Sequence, residues 1–166
     1  MPNTASKRVC VVDAGPLIHL DELGALNLLF ALGQIFIPES VAYEAEKHRR
    51  GITTKLEAHV VAEAETLSRN LGELIRRFHL GAGEIAALAW VEAFGADLFV
   101  SDDTAARDAA GVLGYASTGT LGVIINAAAE DVISNADAVE LLRNVPIRTT
   151  LFTTPALLEK VIAALR

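Results

Sequence analysis

Acidic side chains stand at three places where the hydrophobic pattern predicts the end of a strand or the start of a helix. Asp13 follows one apolar run, and the pair Asp102-Asp103 follows another. Glu84 follows a glycine-rich turn and precedes an apolar segment. Buried strands that end on carboxylates place those charges at the carboxyl edge of a parallel sheet, where open α/β sheets bind their ligands.

This placement predicts an acidic metal site. Carboxylates that converge at such an edge repel one another unless a cation lies between them. Hard divalent ions such as Mg²⁺ prefer oxygen ligands of this kind. The predicted metal ligands are Asp13, Glu84, Asp102 and Asp103. Each of them could instead be an ordinary helix N-cap, and the residues alone leave open which aspartate of the pair points into the site.

Strands that alternate with helices predict an α/β fold built on a parallel sheet. Strand patterns cover about residues 8–12, 35–37, 98–100 and 115–117. Helical patterns cover about residues 25–32, 84–94, 102–113, 134–143 and 154–165, and Ser40 is expected to cap a further helix. We expect one domain over residues 1–166, with three α/β/α layers and a central, mainly parallel sheet of four to five short strands.

Between residues 54 and 78, apolar residues recur at the three- and four-residue spacings that are typical of a helix. This stripe comprises Val60, Ala64, Leu67, Leu71, Leu74 and Phe78. Asn70 and Gly72 are expected to divide it into two helices. The stripe packs either on the core of its own domain or on a second copy or partner, since exposed apolar surface favours association. We therefore expect a homodimer.

Composition limits the classes of protein that the chain can be. A single cysteine, Cys10, gives no intramolecular disulfide and no cysteine-rich zinc site, which predicts a reducing, cytoplasmic setting. The longest apolar tract, at residues 23–37, is interrupted by polar residues and too short to span a membrane. The net charge of -7 argues against a broad electrostatic grip on nucleic acid. It does not exclude a nuclease, because bound cations would offset an acidic site.

Five segments of the chain form a combination whose order and spacing are specific. They are VVDAGPLIHLDELG, IPESVAYE, GAGEIAALA, VSDDTAARDAAGVLG and STGTLGVI. Together they resemble PIN-domain proteins, and most closely the branch related to VapC-type toxin ribonucleases. The resemblance spans about residues 8–126, and a helical tail follows over about residues 130–166.

This resemblance implies a PIN-like fold and an enzyme that cuts RNA with a water activated by one or two Mg²⁺ or Mn²⁺ ions. The catalytic residues that it implies are Asp13, Glu44, Glu84 and Asp103. Ser101 stands where the family more often has threonine, which keeps the hydroxyl group. The resemblance also implies RNA as the substrate and a small antitoxin protein as a partner.

Four residues near the predicted site are weaker candidates for contact with a substrate: Ser101, Arg107, Thr118 and Thr120. The turn at residues 118–120 precedes a helix, so it could present N–H and hydroxyl groups to a phosphate or simply cap that helix. Arg107 lies four residues beyond Asp103, a spacing that favours an ion pair with this carboxylate over contact with phosphate.

Two other functions fit part of the pattern. One is a non-catalytic PIN-like module that binds proteins. The other is an aspartate-based phosphotransfer or phosphatase fold, which also places aspartates at strand ends. A lysine commonly helps to neutralise phosphate in such sites. Because Lys160, in the tail, is the only lysine after Lys55, the second alternative is disfavoured.

Overall fold

The fold, described by a computed structural model over residues 7–56 and 58–165, is built on a five-stranded sheet. The strands are β1 (Val9–Val12), β2 (Gln34–Pro38), β3 (His59–Val61), β4 (Leu98–Val100) and β5 (Ser117–Thr118). Their order in the sheet is β3-β2-β1-β4-β5, and every neighbouring pair runs parallel. The predicted α/β architecture with a parallel central sheet is confirmed.

Helices flank this sheet. They are α1 (Ala14–Glu22), a short 3-10 helix (Leu26–Ala31), α2 (Glu39–His48), α3 (Ile52–Lys55), α4 (Arg69–Phe78), α5 (Ala82–Phe94), α6 (Thr104–Val112), α7 (Thr120–Ala129), α8 (Asn135–Arg148) and α9 (Pro155–Ala163). Within the described residues, no helix has the length and apolar character needed to cross a membrane.

The centre of the core is β1, whose residues Cys10, Val11 and Val12 are fully buried. Successive residues of a strand point to opposite faces of the sheet. Both faces are buried here because helices pack on both sides of the parallel sheet. Helix α5 packs against β1, β2 and β4. Its buried face includes small residues such as Ala87, which allow the helix to approach the strands closely.

The ends of several helices follow from their capping residues. The Asp13 side chain caps α1, and Gly95 ends α5 with a φ of 62°, a conformation in which glycine is free of steric cost. The prediction that Ser40 caps a helix is wrong, because α2 begins at Glu39 directly after Pro38. The Ser40 N–H donates instead to Glu63 Oε1 at 2.7 Å.

The prediction of a helical stripe over residues 54–78 is wrong in its first half. Val60 belongs to the edge strand β3 and lies opposite Ile37 of β2, and Glu57 lies outside the described residues. A short strand, a loop and a helix together reproduce a three- and four-residue spacing by coincidence. The second half is one helix, α4, which runs through both expected break points.

This correction removes the main argument for a dimer interface along the stripe. Helix α4 packs against α5 and α6, and Leu71 and Leu74 are buried there. Leu67 precedes the helix and is half exposed. The stripe is therefore partly core and partly loop, and it presents no continuous apolar face to solvent.

Other boundaries move by a few residues. The last strand covers Ser117–Thr118 instead of residues 115–117, and the helix predicted at 25–32 is a 3-10 helix. Helix α8 continues to Arg148, beyond the predicted end at residue 143.

Substitutions of one buried and one exposed residue of the stripe test this packing directly. Leu71→Ala should lower the free energy of unfolding by about 2–5 kcal/mol, because it leaves a cavity in the core. Leu67→Ala should change it by less than about 1 kcal/mol, because this side chain already contacts water. Urea unfolding of both variants measures the difference. Equal losses would contradict the placement of α4.

Candidate active site

The candidate site lies at the carboxyl edge of the sheet, at the point where the strand order reverses. Strand β1 is flanked by β2 on one side and by β4 on the other, so the segments that follow β1 and β4 diverge at the carboxyl edge. In open α/β sheets, this reversal creates the crevice in which ligands bind. Asp13 directly follows β1, and its backbone N–H donates to the Val100 carbonyl at the end of β4 at 2.9 Å.

Asp13 is held in one orientation by two hydrogen bonds. The Ala14 N–H donates to Oδ1 at 2.8 Å, and the Ser101 hydroxyl donates to Oδ2 at 3.0 Å. Its side chain is buried, with the whole residue only 6% exposed, and Ser101 is fully buried. Two adjacent strand ends are therefore joined through one carboxylate.

Two glutamates lie near Asp13, around the first turn of α5. A Cβ atom added at Gly83 would lie 3.0 Å from Glu44 Oε2 and 3.5 Å from Asp13 Oδ1. The carboxylates of Asp13 and Glu44 thus approach the same point, and they do so because residue 83 has no side chain. Glu84 follows directly, and its Oε2 accepts a hydrogen bond from the Gly81 N–H. Glu84 is therefore both a neighbour of Asp13 and a cap of its own helix.

This environment makes the Asp13 carboxylate hard to ionise. Its pKa is raised to about 6, mainly because the group is buried, although the hydrogen bonds from Ala14 and Ser101 oppose the rise. The negative charges of Glu84 and Glu44 contribute to this rise. Such a cluster is stabilised by any cation that enters it.

Asp103 lies beside this cluster and is exposed. Its N–H donates to Ser101 Oγ at 3.2 Å, so one serine hydroxyl joins Asp103 to Asp13. Its Oδ1 accepts from the Ala106 N–H at 2.7 Å and caps α6. No donor among the described residues is hydrogen-bonded to its Oδ2, which leaves that oxygen for another ligand.

Asp102 is directed elsewhere, towards α1 and α7. Its Oδ2 lies 2.8 Å from His19 Nδ1 and accepts from the Thr120 hydroxyl at 2.6 Å, while Oδ1 accepts from the Thr120 N–H at 2.7 Å. Burial alone would raise its pKa, but the hydrogen bonds from His19 and Thr120 outweigh burial and hold the pKa below the usual value. Both oxygens are already occupied, so among the predicted ligands Asp102 is the one turned away from Asp13.

No sequence pattern indicates the role of His19. It lies 83 residues from Asp102 along the chain, and no spacing pattern relates the two. Thr120 is fully buried with its hydroxyl engaged by Asp102, so this hydroxyl is not free to contact a substrate. Thr118, by contrast, is only partly buried and lines a cavity beside the site.

Arg107 does not pair with a carboxylate as its spacing predicts. Its guanidinium donates to the Ser101 carbonyl at 2.7 Å and to Thr104 Oγ1 at 3.4 Å. In the described part of the chain, no acidic side chain lies within ion-pair distance of it. Arg107 therefore forms no direct ion pair there, although the Asp102 carboxylate approaches the same point near Gly119.

The described residues contain no group of three or more histidine, cysteine, aspartate or glutamate side chains close enough to form a metal site. The acidic residues are nevertheless neighbours. Asp13 and Glu44 meet at Gly83, Glu84 follows on the same turn, and Asp103 is joined to Asp13 through Ser101. These acidic residues are therefore grouped around Asp13, although the described residues form no compact set of three metal ligands.

The raised pKa of Asp13 predicts an unusual pH dependence in metal-free protein. A carboxyl group whose pKa is higher in the folded state stabilises the fold below about pH 4, and this contribution is lost as the pH rises through 6. Asp13→Asn should therefore raise the free energy of unfolding at pH 7.5 by about 2–3 kcal/mol, and the gain should vanish near pH 4.

Urea unfolding in EDTA across this pH range measures the difference between native protein and variant. Glu159→Gln, on the exposed side of α9, is the matched control and should show no such pH-dependent gain. An Asp13→Asn variant that is equally destabilised at both pH values would contradict the proposed electrostatics.

Comparison with known proteins agrees with the fold. A family profile described as PIN domain matches residues 9–166, which is nearly the whole chain. No curated protein matches the chain. PIN domains are generally nucleases. In this chain, the candidate acidic residues lie at the carboxyl edge of the sheet. The chain therefore belongs to the PIN-domain family.

Proposed function

We propose that this protein is a metal-dependent endoribonuclease that hydrolyses RNA phosphodiester bonds with Mg²⁺ or Mn²⁺. The observation that carries the proposal is the buried Asp13 carboxylate at the reversal point of the sheet, with Glu44 and Glu84 beside it. A carboxylate buried among other carboxylates costs folding free energy, and such a cost is typically retained where a function needs it.

The donor groups fit a hard divalent cation. All of the predicted ligands offer carboxylate oxygens, and the lack of a Cβ at Gly83 leaves open the point that Asp13 and Glu44 approach. Mg²⁺ keeps several of its waters and binds few protein carboxylates, so it does not need a closed set of four ligands. We propose Asp13, Glu44, Glu84 and Asp103 as the residues that hold it. Asp102 is left out because its oxygens are engaged by His19 and Thr120.

A divalent cation bound here would lower the pKa of a water molecule and offset the negative charge that builds on the phosphate. The side chains supply the geometry for this chemistry. Asp13 is fixed by Ala14 and Ser101, so its free lone pairs point in a defined direction. Glu44 is exposed and lies near Asp13, a position from which it can orient a water or accept its proton.

The positive charge of Arg107 favours a substrate that contains phosphate. An RNA strand brings negative charge to a protein that is itself acidic, so local positive charge is needed at the site. Arg107 donates its hydrogen bonds to neutral acceptors and forms no direct ion pair in the described residues, so its charge can attract an anion. Its contact with the Ser101 carbonyl places that charge next to the residue that anchors Asp13.

The toxin role, the small antitoxin partner and the homodimer remain predictions from the sequence. The toxin and antitoxin are carried by the resemblance to VapC-type proteins. The apolar stripe no longer supports the dimer, because Leu71 and Leu74 are buried within their own chain.

The proposal predicts RNA cleavage that requires a divalent cation. Native protein should cut single-stranded RNA in Mg²⁺ or Mn²⁺ and should lose this activity in EDTA. Asp13→Asn should lower kcat/KM by on the order of 100-fold or more, which corresponds to several kcal/mol of lost stabilisation. Gel analysis of a labelled RNA, beside a DNA strand of the same sequence, measures both effects.

Glu159→Gln again serves as the matched control and should retain the native rate. Cleavage that persists in chelator would overturn the metal mechanism. A fully active Asp13→Asn protein would overturn the assignment of Asp13. Folded native protein that cuts no RNA under any metal condition would favour the non-catalytic binding module.

A further inference from the structure

A cavity of about 500 Å³ lies beside the acidic site, between α6, the start of α7 and the segment that precedes α9. Residues that line it include Thr104, Arg107, Thr118, Phe152, Thr153 and Leu157. Ser101 connects the cavity with the site, because its hydroxyl donates to Asp13 while its carbonyl accepts from Arg107. A ligand that occupies the acidic site thus has this cavity as an immediate neighbour.

The cavity has one positively charged side chain among its lining residues, that of Arg107. Two acidic residues also line the cavity: Asp102, whose oxygens accept from His19 and Thr120, and Asp108, which is exposed. The wall at this point depends on Gly119, since a Cβ there would lie 2.7 Å from Asp102 Oδ1 and 3.3 Å from Arg107 Nη1. The backbone therefore approaches Arg107 closely, and the guanidinium remains at the cavity wall.

Two other residues that line the cavity are apolar and exposed. Phe152 is 87% exposed and lies in the segment between α8 and α9, and Leu157 is also exposed. An aromatic ring in water is costly unless a ligand covers it, and stacking on a base is worth about 1–3 kcal/mol.

We propose that this cavity binds one nucleotide of the RNA strand, next to the bond that is cut. Arg107 contacts a phosphate of the strand, and Phe152 stacks on the base. A cation and an exposed aromatic ring that line one cavity fit a nucleotide better than a purely apolar ligand. The proposal rests on the proposed function, because the RNA strand is placed by the acidic site.

Titration of isotope-labelled protein with nucleoside 5′-monophosphates in EDTA tests the cavity without the metal or the cleavage reaction. We expect saturable chemical-shift changes at Gly119, Phe152 and Thr153. Ribose 5-phosphate and inorganic phosphate should bind more weakly, because they lack a base to stack. Binding of ribose 5-phosphate as tight as that of the nucleotides would overturn the stacking on Phe152, and an absence of shifts would overturn the cavity as a subsite.

Variants separate the ring from general effects on the fold. Phe152→Ala should weaken nucleotide binding by about 5- to 100-fold, and Phe152→Tyr should restore it. Phe94→Ala is the matched control, because Phe94 is 61% exposed but does not line this cavity. Unchanged binding in Phe152→Ala, or an equal loss in Phe94→Ala, would contradict the inference.

The failure of this inference is distinguishable from the failure of the proposed function. Nucleotides that bind through Phe152 to a protein that cuts no RNA would leave the cavity assignment standing and would remove the nuclease. Metal-dependent RNA cleavage together with unchanged nucleotide binding in Phe152→Ala would remove only the subsite.

Discussion

The site depends on one buried carboxylate, that of Asp13, at the point in the sheet where the strand order reverses. Asp13 ends β1, accepts the Ala14 N–H and the Ser101 hydroxyl, and has a pKa near 6 because burial and two neighbouring glutamates oppose its ionisation. In metal-free protein at neutral pH, this charge is a cost of about 2–3 kcal/mol. The pairing of β1 with β4 brings Asp13 next to Ser101, which follows β4 and donates to the carboxylate.

The two consecutive aspartates after β4 take different roles because successive side chains in the turn point in different directions. Asp102 joins α1 to α7 through His19 and Thr120, and this buried bond network fixes the turn that also carries Ser101. Asp103 caps α6 and stays exposed beside Asp13. The carboxylate of Asp102 thus holds the turn from which Asp103 projects. Removing Asp102 would leave buried donors without an acceptor, which is costly in itself.

Much of the sheet could be predicted from sequence, and the reason is visible at β1. Its residues are apolar on both faces and stop abruptly at Asp13, so the pattern gives both the strand and its end. The edge strand β3 could not be predicted, because three half-exposed residues pair only with β2 and carry too little pattern. The choice between Asp102 and Asp103 depends on turn geometry. The partner of Arg107 is a backbone carbonyl, which no side-chain spacing reveals.

The central claim is that the carboxylates around Asp13 hold a divalent cation. Calorimetric titration of Mn²⁺ into native protein and Asp13→Asn, at pH 7.5 and at pH 6, tests it most directly. The account predicts saturable binding to native protein that is lost or greatly weakened in the variant. At pH 6, binding should release about half a proton into the buffer, because a group with a pKa near 6 is half protonated there. Equal Mn²⁺ affinity in both proteins, with no proton release at pH 6, would contradict it.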